Sequence, residues 1–134
     1  MLSYRDTDSV YLACGATDMR KSIDGLAAIV QLGFDLDPFS NSWFVFCNRD
    51  RDKLKILRWD HNGFWLYYRR LERGRFAWPA SAAAADESVP RMQSSPQGVP
   101  STRLVSRRQL MWLLDGLTLE QRKAHPEVDA RGVI

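Results

Sequence analysis

Asn62-Gly63, set between the runs KLKILRW (53–59) and FWLYYRRLE (64–72), constrains this chain more than any other pair of residues. Both residue types tolerate the positive φ angles of a tight type I′ turn, so the pair predicts two antiparallel strands joined directly. On the return strand Phe64, Leu66 and Tyr68 fall on one side, and Trp65, Tyr67 and Arg69 on the other. On the outgoing strand Lys53, Lys55 and Leu57 oppose Leu54, Ile56 and Arg58, an imperfect alternation that admits a bulge.

Other segments add to this hairpin. SWFVFCN (42–48) is aromatic and β-branched on both parities, as in a central strand covered on two faces. SVYLAC (9–14) reads as a buried strand, and FAWP (76–79) as an edge strand closed by Pro79. Between the first two, Met19, Ile23, Leu26, Ala27 and Val30 recur at steps of three and four, predicting a helix over 19–32 capped by Thr17 or Asp18. Residues 80–103, rich in Ala, Ser, Pro and Gln, predict a flexible linker. A Ser106 cap and the stripe Leu110, Leu113, Leu114 and Leu117 predict an amphipathic helix within 104–119, followed by a frayed tail over 120–134. The expected fold is α+β: a small antiparallel sheet of about four strands packed on one helix within residues 1–79, with the C-terminal helix beyond the linker.

Charge is distributed unevenly. The net +3 combines an acidic segment over 1–40 (three basic and six acidic residues) with a basic one over 41–75 (nine basic and four acidic). The nine cations are Arg49, Arg51, Lys53, Lys55, Arg58, Arg69, Arg70, Arg73 and Arg75, all on the hairpin and its flanking turns. Such a sheet can lay several cations along a phosphate backbone, and Trp65 and Tyr67 can stack on exposed bases if their face is open. The plainer alternative makes the aromatics core and the cations a solvated rim. Three or more of Lys53, Lys55, Arg58, Arg69 and Arg70 projecting beside an exposed ring would favour nucleic acid. A protein-partner surface is the rival, with Arg107, Arg108 and Trp112 of the terminal helix as its docking residues.

Catalysis finds less support. Asp50, Asp52, Asp60, His61 and Asn62 are residue types that hold Mg²⁺ in nucleases, yet all sit in turns whose local geometry explains them. The glycines form no phosphate-cradling or nucleophile-elbow motif. Cys14, Cys47, His61 and His125 share no metal-ligand spacing, and the two cysteines read as buried structural thiols, so neither metal nor cofactor is expected. No apolar run approaches the roughly 18 residues of a membrane span. The opening MLSYRDTDSV places acids where a secretory signal has basic residues, so a cytoplasmic chain is expected.

The strings VYLACGATDMRKSIDGLAAIVQ, DPFSNSWFVFCNRDRDKLKILRWDHNGFWLYYRRLERGRFAWP and SRRQLMWLLDGL resemble the TnpB, or Orf2-like, accessory proteins of the insertion-sequence-66 family of bacterial transposable elements. These are distinct from the RNA-guided nuclease that shares the TnpB label. The resemblance implies a protein encoded beside a separate transposase that supplies the catalytic acids. It also implies transposon-end DNA, the transposase, or both as partners, and it assigns no catalytic residue.

Overall fold

The computed structural model describes residues 8–80 and 101–120. Five strands, β1 (Val10–Ala13), β2 (Trp43–Cys47), β3 (Lys53–Asp60), β4 (Gly63–Arg70) and β5 (Thr102–Val105), form one sheet in the order β4-β3-β2-β1-β5. The fold is α+β, and the sheet is mixed. β1 and β2 run parallel, while β2–β3, β3–β4 and β1–β5 are antiparallel. The parallel pair follows from the helix between them, because a strand–helix–strand run returns the chain in the direction it left.

That crossover begins later than its apolar stripe. α1 spans Ile23–Ala28 and continues into a wider π-helical turn, Ile29–Gly33. Residues 18–22 form a turn instead, in which the Asp18 carboxylate accepts the Arg20 N–H at 2.9 Å. Lys55 Nζ donates to the carbonyls of Met19 and Lys21 at 2.8 and 2.9 Å, holding this turn against the sheet. Leu26 and Val30 then bury against Ala13, Phe44, Phe46 and Leu57 on one face of the sheet.

The opposite face carries the second helix, α2 (Arg107–Leu114), whose Leu110 and Leu113 pack on Val10, Leu12, Trp43, Val45 and Ile56. Its start is the capping box expected at Ser106: Ser106 Oγ accepts the Gln109 N–H at 3.1 Å, and the Ser106 N–H donates to Gln109 Oε1 at 2.9 Å. Its end is a Schellman arrangement, with Gly116 at φ +81° and the Leu117 N–H bonded to Trp112 O at 2.8 Å. Leu117 turns outward and Leu119 takes the buried place the stripe assigned to it. Helices therefore cover both faces of the sheet, and the uniformly buried β2 is its centre.

Two segments depart from the sequence reading. Thr102–Val105 is a strand on β1, where the linker was expected to reach residue 103; Val105 is buried while Arg103 and Leu104 remain partly or fully accessible, so the run lacks an apolar signature. FAWP forms no strand. Phe76 and Trp78 instead plug the α2-side core, and the Trp78 indole N–H donates to Ala13 O at 2.8 Å. The chain leaves this region where Pro79 O accepts the Gly15 N–H at 2.9 Å, and it re-enters where Ser101 O accepts the Cys14 N–H at 2.8 Å. Residues 81–100 of the linker expected over 80–103, and residues 121–134 of the tail expected over 120–134, lie outside the described residues.

Candidate nucleic-acid interface

The hairpin is built as predicted, although its turn is not type I′. β3 and β4 pair without a break from Lys53↔Arg70 to Asp60↔Gly63. His61, not the Asn-Gly pair, takes positive φ (+56°), and the Asn62 N–H reaches back to Asp60 O at 2.5 Å. This two-residue hydrogen bond makes a γ-type turn centred on His61, and Gly63 becomes the first residue of β4. β3 has no bulge, since it pairs without a break with β2 and β4, and its buried cation Arg58 and half-buried Lys55 find partners where they stand.

Arg58 is the plainest case. Its side chain is 9% exposed, ion-paired to a 4% exposed Asp8 at 3.1 Å, with its guanidinium 4.4 Å from the centre of the Trp43 ring. Asp8 Oδ2 also accepts the Trp43 indole N–H at 3.3 Å. A cation committed in this way belongs to the core, so Arg58 leaves the expected phosphate-binding set. Lys55 is tied to the carbonyls before α1 and sits 5.8 Å from the Tyr68 ring centre, so it is only partly available. Lys53, Lys55 and Arg70 do share the α1 face beside the exposed Tyr68, whereas Arg69 points to the α2 face.

The remaining cations meet at one end of the hairpin. Asn48 shapes the β2–β3 turn: its Oδ1 accepts the N–H groups of Asp52 and Lys53 at 3.0 Å each, and Arg51 adopts φ +62°. The segment after β4 folds back onto this turn through Leu71 N–H to Asp52 O and Phe76 N–H to Arg51 O, both 2.7 Å. Arg49, Arg51, Lys53, Arg69, Arg70, Arg73 and Arg75 are thereby gathered from two stretches of chain, with only Asp50, Asp52 and Glu72 among them. Glu72 pairs with Arg70 at 2.9 Å. The Asp52 carboxyl is held below its usual range chiefly by the Asn48 amide, with Lys53 and Arg75 adding to the effect.

The aromatic pair is placed differently. Tyr67 is half-buried between Trp43 and Trp65, with ring centres 6.1 Å from each and planes within 18° and 15°. Burial raises the Tyr67 hydroxyl pKa. Trp65 is 48% exposed, and its indole N–H donates to Asp60 Oδ2 at 3.2 Å. On α2, Arg107 and Arg108 lie on the exposed surface, with the Arg108 guanidinium 5.3 Å from the centre of the half-buried Trp112 ring.

The carboxylates weighed for metal chemistry are split between the two ends of the hairpin. Asp50 and Asp52 lie in the cationic turn, Asp60 and His61 at the far turn, roughly 23 Å away along an eight-residue strand. Among the described residues no group of three or more His, Cys, Asp or Glu could hold a metal ion. A shallow groove of about 480 Å³ along α1 is lined mostly by small and apolar residues such as Gly25, Ala28 and Leu32. Its carboxylate, Asp18, is bound to Arg20 at 2.8 Å, which lowers its pKa to about 2. Cys14 and Cys47 are buried free thiols, and burial pushes the Cys47 pKa up to about 12. Among the described residues no helix is long and apolar enough to cross a membrane.

The family model described as IS66 Orf2 like protein matches residues 8–98, more than half of the chain. The uncharacterized protein y4hO of Sinorhizobium fredii is 41% identical over 76 residues, covering 57% of this chain and 66% of that protein. The uncharacterized protein y4jC of the same organism is 33% identical over 70 residues, covering 52% of this chain and 60% of that protein. The chain thus spans less than two thirds of the length of these curated relatives. No solved structure matches it. The matched region holds β1 to β4, α1 and the whole cationic turn, and with it the chain belongs to the IS66 Orf2-like family of transposon-associated accessory proteins.

Proposed function

We propose that the chain is a non-catalytic accessory protein of transposition that binds DNA through the cationic end of its β3–β4 hairpin. One observation carries this reading: backbone hydrogen bonds bring two basic segments, 49–53 and 69–75, to the same end of the sheet. Seven cations against three acids at one end of the sheet, spread over both of its faces, make a phosphate-binding footprint, whose affinity rises by counterion release as each phosphate is neutralised. Electrophoretic shifts with transposon-end and random duplexes across a salt series test it. Binding should weaken steeply with salt. Replacing Arg49, Arg51, Arg73 and Arg75 by Ala should reduce the log–log slope by about 3 to 4, near 0.9 per lost phosphate contact. Absence of binding at low salt, or an unchanged slope in that variant, refutes the reading.

A protein adaptor for the transposase is the second reading, supported by the outer surface of α2, where Met111 is 49% exposed one turn from Arg107 and Arg108, and by Leu117, 44% exposed in the turn that follows the helix. Val105, Leu110 and Leu113 belong to the core, so only the outward side chains can be changed without loss of the fold. Met111→Glu with Leu117→Glu spares those residues. Co-purification with the transposase that survives nuclease treatment and is lost in this variant favours the adaptor; retention in the variant disposes of it.

A further inference from the structure

The cationic end accounts for phosphates and says nothing about bases. The aromatic column on the α2 face of the sheet does. Arg58 lies against Trp43, Trp43 is near-parallel to Tyr67, and Tyr67 to Trp65, so that successive π-systems run from the central strand β2 to the edge strand β4 and then along β4 towards the Asp60 turn. The inner members are buried or half-buried and the last ring is 48% exposed. Its indole N–H donates to Asp60 Oδ2 at 3.2 Å, which restrains the tilt of the ring. A restrained aromatic plane ending a stack is built to take one more planar ring.

The second exposed aromatic cluster has a different construction. Phe39, Trp59 and Phe64 sit on the opposite face, where Trp59 meets its two neighbours edge-on at 81° and 72°. Those rings close on each other and extend no stack. The surroundings differ as well: Arg69 shares the α2 face with Trp65, four residues further along β4 and roughly 13 Å away, in the direction of the cationic end.

We infer that Trp65 is an end-stacking platform for an unpaired nucleobase, and that the preferred ligand is single-stranded or locally unpaired DNA whose phosphates run past Arg69 onto the cationic end. An intact duplex hides the faces of its bases, so the platform discriminates against it. This inference rests on the DNA-binding reading and adds the strand state that the protein selects.

The test measures fluorescence anisotropy of two labelled strands of equal length and charge: an oligodeoxythymidine and the same strand carrying abasic sites in place of bases. Wild-type protein should bind the base-bearing strand about tenfold more tightly, in keeping with one stacked base. Trp65→Leu should erase that preference while keeping the salt slope, and Trp65→Phe should retain part of it. Equal binding of both strands by the wild type overturns the inference and leaves phosphate binding standing, a comparison that requires no variant to fold. A preference that persists in Trp65→Leu overturns it too. If the wild type binds neither strand nor duplex, both readings fail together.

Discussion

Arg58 reverses the role its residue type suggests. In the sequence it is one of nine cations on a basic hairpin; in the fold it is buried over Trp43 and paired with Asp8. Removing one partner of such a pair strands the other charge in the core. Arg58→Ala should therefore cost about 3–5 kcal/mol, read from urea unfolding, and the Asp8→Ala, Arg58→Ala double variant should cost less than the sum of its singles. Loss of DNA binding in Arg58→Ala would then report unfolding rather than a missing contact. Cys47 gives a pH signature. Its folded pKa of about 12 lies above the ordinary 9.0, so the neutral thiol is favoured in the native state. The stability it contributes is complete below pH 9 and is lost as pH rises toward 12. Thermal melts between pH 8 and 11 should show a decline that is smaller in Cys47→Ala.

Among the elements, the hairpin was the most legible, yet its turn was read one residue out of place. Asn62-Gly63 announces a reversal, while the pairing of Asp60 with Gly63 makes His61 the residue at positive φ. A β-branched residue tolerates that conformation poorly. His61→Val should accordingly destabilise the fold by about 1–2 kcal/mol, and His61→Gly should not, as measured by chemical denaturation. β1, β2 and both helices were visible because their apolar spacing is local. The parallel pairing of β1 with β2 was not, since direction is set by a crossover rather than by any residue in either strand. β5 escaped notice because four residues with one buried side chain carry too little pattern, and Phe76 and Trp78 looked like a strand because plug residues and strand residues share a composition. Most of the candidate cations were found by counting charge. Which of them are available depends on partners far away in sequence, Asp8 for Arg58 and the Met19 and Lys21 carbonyls for Lys55.

For the molecule as a whole, the sheet separates two kinds of surface. The order β4-β3-β2-β1-β5 sets the hairpin at one edge and β5 at the other, with α2 covering part of the face that Trp65 shares. The same order brings together the points where the chain leaves and re-enters the described fold. Pro79 and Ser101 bond to the consecutive residues Gly15 and Cys14, so residues 81–100 must begin and end at neighbouring positions. Closing a stretch of that length onto a single point carries an entropy cost that grows only with the logarithm of its length. Replacing it by about six Gly and Ser residues should raise stability by about 1 kcal/mol in urea unfolding, without altering DNA affinity. Lengthening it twofold should cost only about 0.6 kcal/mol. The Gly15–Pro79 and Cys14–Ser101 bonds thus pin the two ends of the described chain side by side, so that the first hydrogen bond made on re-entry already sets β5 against β1.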